Sequence, residues 1–242
     1  MRLRLTVTTS ATSIPWRNVL RPGRGLIYDL LADAAPELGA HLHDRGWGET
    51  GMTPFGHGAP VFPNARRRRG SYTVGGTGTW ELGSPVPSII EALAQGLSHQ
   101  RVLDWGGTAL RVQDIDVLPP PGFSDEATLM KTATPVVLKG SGRNEHGVRT
   151  TRQAWVLPTE PEFGAYFENN LRRKAHTLGL EPDVSVEAFT WVGPQRSFAV
   201  GAGAKPGSPI EAQLRGHPHT LQALWSWGLG QANSAGFGWV SA

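Results

Sequence analysis

Leu118-Pro119-Pro120-Pro121-Gly122-Phe123-Ser124-Asp125 interrupts the chain near its midpoint. Proline has no amide hydrogen to give a ladder and pushes the residue before it out of helical geometry, so three in succession suit neither a strand interior nor a helix. The segment reads as a linker. Its importance lies in what flanks it, because one order of elements precedes it and the same order follows.

Upstream, residues 2–8 alternate (Arg2, Leu3, Arg4, Leu5, Thr6, Val7, Thr8), the period of a half-buried strand. Pro22-Gly23 then opens a run with Leu26, Ile27, Leu30, Leu31 and Ala34 at helical spacing. Pro36 ends it and starts a second short helix over 36–45, with Leu38 and Leu42 on one face. Residues 46–84 are Gly-rich, with extended pieces predicted at 59–62, 71–74 and 79–82. A helix over 88–96 and a strand over 108–117 complete this half. Downstream, 129–138 and 153–157 read as strands, 162–178 as the longest helix (Phe163, Phe167, Leu171, Lys174, Leu178), and 184–192 and 209–215 as strands. A helix over 220–227 and a strand over 236–240 close the chain. Strand–helix–strand–strand–helix–strand is the ferredoxin-like (RRM-like) plan, an α+β fold whose antiparallel sheet carries both helices on one face. The expectation is two tandem domains, 1–118 and 127–242, joined by the linker 119–126.

The 242 residues, 39% hydrophobic, suffice for a real core, and the absence of cysteine excludes disulfide scaffolds, thiol nucleophiles and cysteine-ligated metals. The formal charge is only +3, but four of the 23 cations are lysines (Lys131, Lys139, Lys174, Lys205) and the rest arginines. Guanidinium is the planar, forked donor that suits phosphates and stacked bases, although a GC-rich genome also yields an Ala-, Gly- and Arg-rich chain. The N-terminal residues alternate charged and apolar side chains in place of a signal-peptide block, and no window approaches the ~18 apolar residues of a membrane span. The expected location is the cytoplasm.

The last residues are the most informative: Gly228-Leu229-Gly230-Gln231-Ala232-Asn233-Ser234-Ala235-Gly236-Phe237-Gly238-Trp239-Val240. Two Gly-x-Gly pairs bracket a small polar loop between a Trp-rich helix and the closing strand. Such a loop can fold back with its amides exposed, or can be a tight corner with no ligand. It is not a dinucleotide fingerprint, which needs its glycines after a strand and before a helix. Trp225, Trp227 and Trp239 read as core.

With these motifs the whole chain resembles the CRISPR-associated repeat-processing endoribonucleases of the RAMP superfamily. The glycine loop and Asn170-Leu171-Arg172-Arg173-Lys174, similar to an Asn-Leu-x-x-Lys pattern of that family, are the specific features. Tyr28 in the first helix, Leu42-His43-Asp44 in the second, Pro54-Phe55-Gly56-His57, and Thr132-Ala133-Thr134-Pro135-Val136-Val137-Leu138 support them. The resemblance implies two ferredoxin-like domains and metal-independent cleavage of precursor CRISPR RNA. The ribose 2′-hydroxyl attacks its own 3′ phosphate, leaving a 2′,3′-cyclic phosphate and a 5′-hydroxyl. Such a reaction requires a base, an acid and a cation or amides for the developing charge, with no metal and no cofactor.

On this resemblance His43 is the catalytic histidine and Tyr28, fifteen residues earlier, its assistant. His43 lies about 100° round the helix from Leu42 and so reaches the surface, whereas His41 is the competitor, read as half-buried in the core, and His57 a third choice. Family members often carry a lysine just after the histidine; here Arg45 stands nearest, with the run Arg66, Arg67, Arg68 and Arg69 as the other source of charge. The RNA-binding set expected from the resemblance is Gly228, Gly230, Gln231, Asn233, Ser234, Gly236 and Gly238 of the loop, the four arginines 66–69, and Arg172, Arg173 and Lys174. His217 and His219 flank Pro218 with no third ligand apparent, so no metal site is expected. The implied partners are CRISPR repeat RNA, as precursor and as mature guide RNA, together with other CRISPR effector subunits and a second copy of the chain as a homodimer; no membrane contact is implied. The alternative from another class is a non-catalytic RAMP-type RNA-binding subunit of a CRISPR effector complex, which has no use for a histidine in the second helix.

Overall fold

The alternation at the N-terminus becomes β1 (Arg2–Thr9), whose Leu3, Leu5 and Val7 are buried. The computed structural model describes residues 1–63, 65–68, 70–124, 126–143, 146, 149–201 and 203–241. After β1 come β2 (Ser13–Pro15), α1 (Arg21–Ala34), α2 (Pro36–Asp44), β3 (Gly56–His57), β4 (Arg67–Arg68) and β5 (Ser71–Thr73). β6 (Gly76–Gly83), α3 (Pro87–His99), β7 (Val102–Asp104) and β8 (Ala109–Leu118) follow. Beyond the prolines lie β9 (Thr128–Lys131), β10 (Lys139–Arg143), β11 (Arg149–Trp155), α4 (Phe163–Thr177) and β12 (Ser185–Val192). β13 (Arg196–Val200), β14 (Gly203–Gly207), β15 (Ile210–Arg215) and α5 (Pro218–Trp227) complete the order.

The two main sheets repeat one topology. The first runs β3-β6-β1-β8-β7 and the second β12-β15-β9, every pairing antiparallel. In the second, Val240 bridges Thr132 just beyond β9. In each sheet the first strand is central, the third (β6 or β15) and the last (β8 or the Val240 segment) flank it, and the second (β3 or β12) lies outside the third. This is the strand order of the ferredoxin-like plan, present twice. α1 and α3 bury Leu26, Ile27, Leu30, Leu31, Ile89, Ile90, Leu93 and Leu97 over the first sheet, and α4 buries Phe163, Phe167 and Leu171 over the second. Each such side chain contributes about 1.5–3 kcal/mol, well above the ≲0.7 kcal/mol spread of ordinary helix propensities, so packing sets which faces turn inward. Four helices begin with a proline in the first turn, where a missing amide hydrogen costs nothing.

Several expected elements change. The strand read over 129–138 stops at Lys131, because Pro135 cannot extend a ladder. Its apolar remainder crosses between layers, with Val137 in the first core and Val136 and Leu138 in the second. The strand at 153–157 is the end of the β10–β11 hairpin, a separate two-stranded sheet, and the hairpin β13–β14 falls where no element was expected. The closing strand 236–240 does not form as a strand, since Gly236 (φ 88°) and Gly238 (φ 63°) take left-handed geometry and only Val240 bridges. Arg2, expected on the outer face of a half-buried strand, is 0% exposed. Its guanidinium lies 3.9 Å from the ring centroids of both Trp225 and Trp239 and donates to the carbonyls of Trp225 and Val240, tying the first strand to the last helix.

Candidate active site

α1 and α2 meet the β13–β14 hairpin around a pocket of about 390 Å³. Its lining includes Arg21, Arg24, Tyr28, His43, Val200 and Ala235. Tyr28 projects from the third turn of α1, and its hydroxyl donates to the Leu42 carbonyl at 3.4 Å. That bond brings its ring edge-on to His43, the centroids 5.3 Å apart, and edge-on to Phe55 at 5.4 Å. The His43 side chain is 63% exposed, and its Nδ1 lies 3.0 Å from Asp44 Oδ1. A carboxylate only accepts, so this contact places the proton on Nδ1 and leaves Nε2 of the neutral ring as an acceptor. Arg24 Cζ lies 5.6 Å from the Tyr28 centroid.

Tyr28 and His43 are thus brought together, and the other expected side chains divide. His41 is exposed on α2, not half-buried in the core. Arg45, the expected phosphate partner, follows the last turn of α2 about 200° round the axis from His43 and is absent from the pocket lining. The cations that do line it are Arg21 and Arg24, which the sequence reading missed; the signal was there, since Arg24 precedes Tyr28 by one helical turn. Arg66 and Arg68 are exposed in and beside the small sheet β2-β5-β4, away from the pocket lining, and Arg69 lies outside the described residues. β4 includes Arg67. Arg172 is engaged by Glu168 at 2.7 Å and the Val184 carbonyl, and exposed Arg173 donates to the Thr50 carbonyl.

Several amides of the glycine loop are turned inward. Leu229, Gln231, Gly236 and Gly238 donate to the carbonyls of Gly238, Val137, Asn233 and Pro135 in turn. Lys174, expected at an RNA surface, is 1% exposed and donates to the Gly228 carbonyl (2.5 Å) and to Asn233 Oδ1 (2.6 Å). Asn233, itself 4% exposed, donates onward to Leu229 and Phe237. The Asn-Leu-x-x-Lys spacing therefore puts Asn170 and Lys174 on one inward helix face, and the lysine clamps the loop. Gly238 is forced by this closure, because a Cβ there would stand 1.8 Å from the Leu229 carbonyl oxygen. Only Gln231, Ala232 and Ser234 of the loop keep partial exposure. Trp225, Trp227 and Trp239 are core, as expected.

His57 is a core histidine. It is fully buried, Nδ1 donates to the Gly58 carbonyl at 2.8 Å, and Trp80 and Trp105 meet it edge-on. Gly23 of α1 presses against its ring, where a Cβ would come within 2.3 Å. Burial lowers its pKa from 6.5 to about 4. Between those values the unfolded chain binds a proton that the folded chain refuses, so this group's contribution to stability rises with pH. We predict a loss of about 2 kcal/mol from His57 between pH 7 and pH 5. Urea unfolding at both pH values checks it: His57→Gln should flatten the dependence by that amount, and an unchanged slope refutes the assignment.

Among the described residues no three His, Asp or Glu side chains converge to hold a metal ion. The rings of His217 and His219 are 5.2 Å apart, but His217 Nδ1 accepts the His219 amide and caps α5. No helix among the described residues is long and apolar enough to cross a membrane.

The ferredoxin-like strand order occurs twice, and Ala235 of the C-terminal glycine loop lines the pocket that holds Tyr28 and His43. The chain belongs to the Cas6 family: the family model for CRISPR associated protein Cas6, C-terminal, matches residues 118–242. The chain is similar in fold to a solved CRISPR associated protein Cas6, at 23% identity and TM-score 0.79 over 100% of this chain and 98% of that one. It is also similar to an RAMP protein binding different RNA substrates (15%, TM-score 0.81, 100% and 98%) and to a Cas6-related gene product from Pyrococcus furiosus (14%, TM-score 0.80, 100% and 97%). No curated protein matches the sequence.

Proposed function

We propose that the chain is an endoribonuclease that binds CRISPR repeat RNA and cuts precursor CRISPR RNA into guide units. The observation that carries this reading is the apposition of Tyr28, His43, Arg21 and Arg24 in one pocket of a Cas6-family chain. His43 Nε2 takes the proton of the ribose 2′-hydroxyl as the 2′-oxygen bonds to phosphorus. The bond from phosphorus to the 5′-oxygen breaks, and water admitted by the open pocket protonates the leaving oxygen. Arg24 and Arg21, at the N-terminal turn of a fourteen-residue helix, face the negative charge that grows on the phosphate. Tyr28 holds the imidazole ring. The products are a 2′,3′-cyclic phosphate and a 5′-hydroxyl, and the proposed setting is the cytoplasm.

Incubating the purified chain with labelled RNA of the CRISPR repeat encoded near its gene tests the reading. One cut per repeat, with those ends, supports it. Tight binding with no cut assigns the chain instead to the non-catalytic RNA-binding subunits of CRISPR effector complexes.

A further inference from the structure

Further along the β13–β14 hairpin from the pocket stands a second group of side chains. Ala199 and Val200 line the pocket, and Ala199 pairs across the hairpin with Ala204, next to Lys205. Lys205 Nζ lies 5.1 Å from the ring centroid of Trp155, and Lys139 Nζ lies 5.3 Å from the same centroid. Lys139 and Trp155 are cross-strand partners in the β10–β11 hairpin, and the Lys139 amide donates to Gln231 Oε1 of the glycine loop. None of Arg24, Lys139 or Lys205 has a carboxylate partner among the described residues. Burial lowers the pKa of Lys205, and repulsion from Lys139 and then Arg24 lowers it further, so Lys205 lies close enough to both to feel them.

We infer that Trp155, Lys139 and Lys205 form a strand-binding subsite for RNA, in which the ring stacks a base and the two ammonium groups take the flanking phosphates, continuous with the cut site through Arg24. The inference rests on the proposed function and says which surface carries the strand away from the pocket. An indole ring beside two ammonium groups is occupied weakly, since an exposed cation–π contact is worth about 0.5–1 kcal/mol. A phosphodiester draws the lysines off with a full charge and uncovers the ring, and a base then stacks on it for about 1–3 kcal/mol. Lys205 and the two cations that repel it gain from any polyanion, but only a nucleic acid supplies a flat π-face at phosphate spacing.

The test measures fluorescence anisotropy of a labelled twenty-nucleotide oligouridylate, chosen because stacking tolerates any base, at several salt concentrations. Trp155→Ala should raise Kd about 5- to 100-fold and Trp155→Phe should restore most of the affinity. The double variant Lys139→Gln/Lys205→Gln should reduce the slope of log K against log salt by roughly 1.4, about 0.7 for each lost contact to a single strand. Trp155 is half-buried, so its alanine variant also tests folding, and the exposed Lys139 and half-exposed Lys205 provide the independent arm. If wild type cuts repeat RNA while these variants bind oligouridylate as wild type does, the subsite is refuted and the proposed function stands. If wild type neither binds nor cuts RNA, both are refuted.

Discussion

Replacing His43 with alanine should slow cleavage of repeat RNA by about 10²–10⁴-fold, the range that a positioned proton-transfer group supplies, while Kd for the uncut RNA changes little. The side chain is 63% exposed, and its main contacts are the edge of Tyr28 and the carboxylate of Asp44. Losing an aromatic contact of this kind costs about 0.5–1.5 kcal/mol, and an exposed ion pair costs ≲1 kcal/mol. The variant therefore folds, and a lost rate belongs to the chemistry. Single-turnover cleavage with excess protein separates the effect from binding. His41→Ala, two residues along the same exposed helix, should stay within a few-fold of wild type. A wild-type rate in the His43 variant, with loss in the His41 variant, would move the assignment.

Lys174→Met should lower stability by about 2–5 kcal/mol, because the thioether fills the space but leaves the Gly228 carbonyl and Asn233 Oδ1 as buried acceptors without donors. For a chain of this length that corresponds to a fall in Tm of roughly 4–20 °C. Burial holds the pKa of Lys174 well below its ordinary value, yet a neutral amine still has N–H groups for both acceptors, so the clamp does not depend on the charge. Differential scanning calorimetry reads the loss directly. An unchanged Tm together with weakened RNA binding would restore the lysine to the RNA surface and refute the clamp.

These two residues illustrate what a one-dimensional pattern carries. The doubled fold was legible because proline punctuation and apolar periodicity are local properties, and the family motifs singled out Tyr28 and His43 on two helices whose rings the structure brings together. Lys174 was misplaced for the opposite reason: nothing local distinguishes a lysine on a helix surface from one aimed at a buried carbonyl. Arg45 was chosen by proximity in sequence, whereas the pocket draws its cations from α1, a turn before Tyr28. The run 132–138 had the apolar composition of a strand, but its alternate residues belong to two different cores, a tertiary fact that no period reveals. The loop glycines were read as permitting either exposed amides or a tight corner, and the structure shows a turn bonded around Asn233.

The central claim of the proposal is that the pocket cuts RNA through the substrate's own 2′-hydroxyl without a metal ion. Repeat RNA bearing a single 2′-deoxy nucleotide at the cut, incubated with the protein in excess chelator beside its all-ribose counterpart, tests this most directly. The account predicts that the ribose strand is cut to a 2′,3′-cyclic phosphate and a 5′-hydroxyl while the deoxy strand is bound and stays whole. Cleavage of the deoxy strand, or cleavage of the ribose strand only when magnesium is returned, would contradict it.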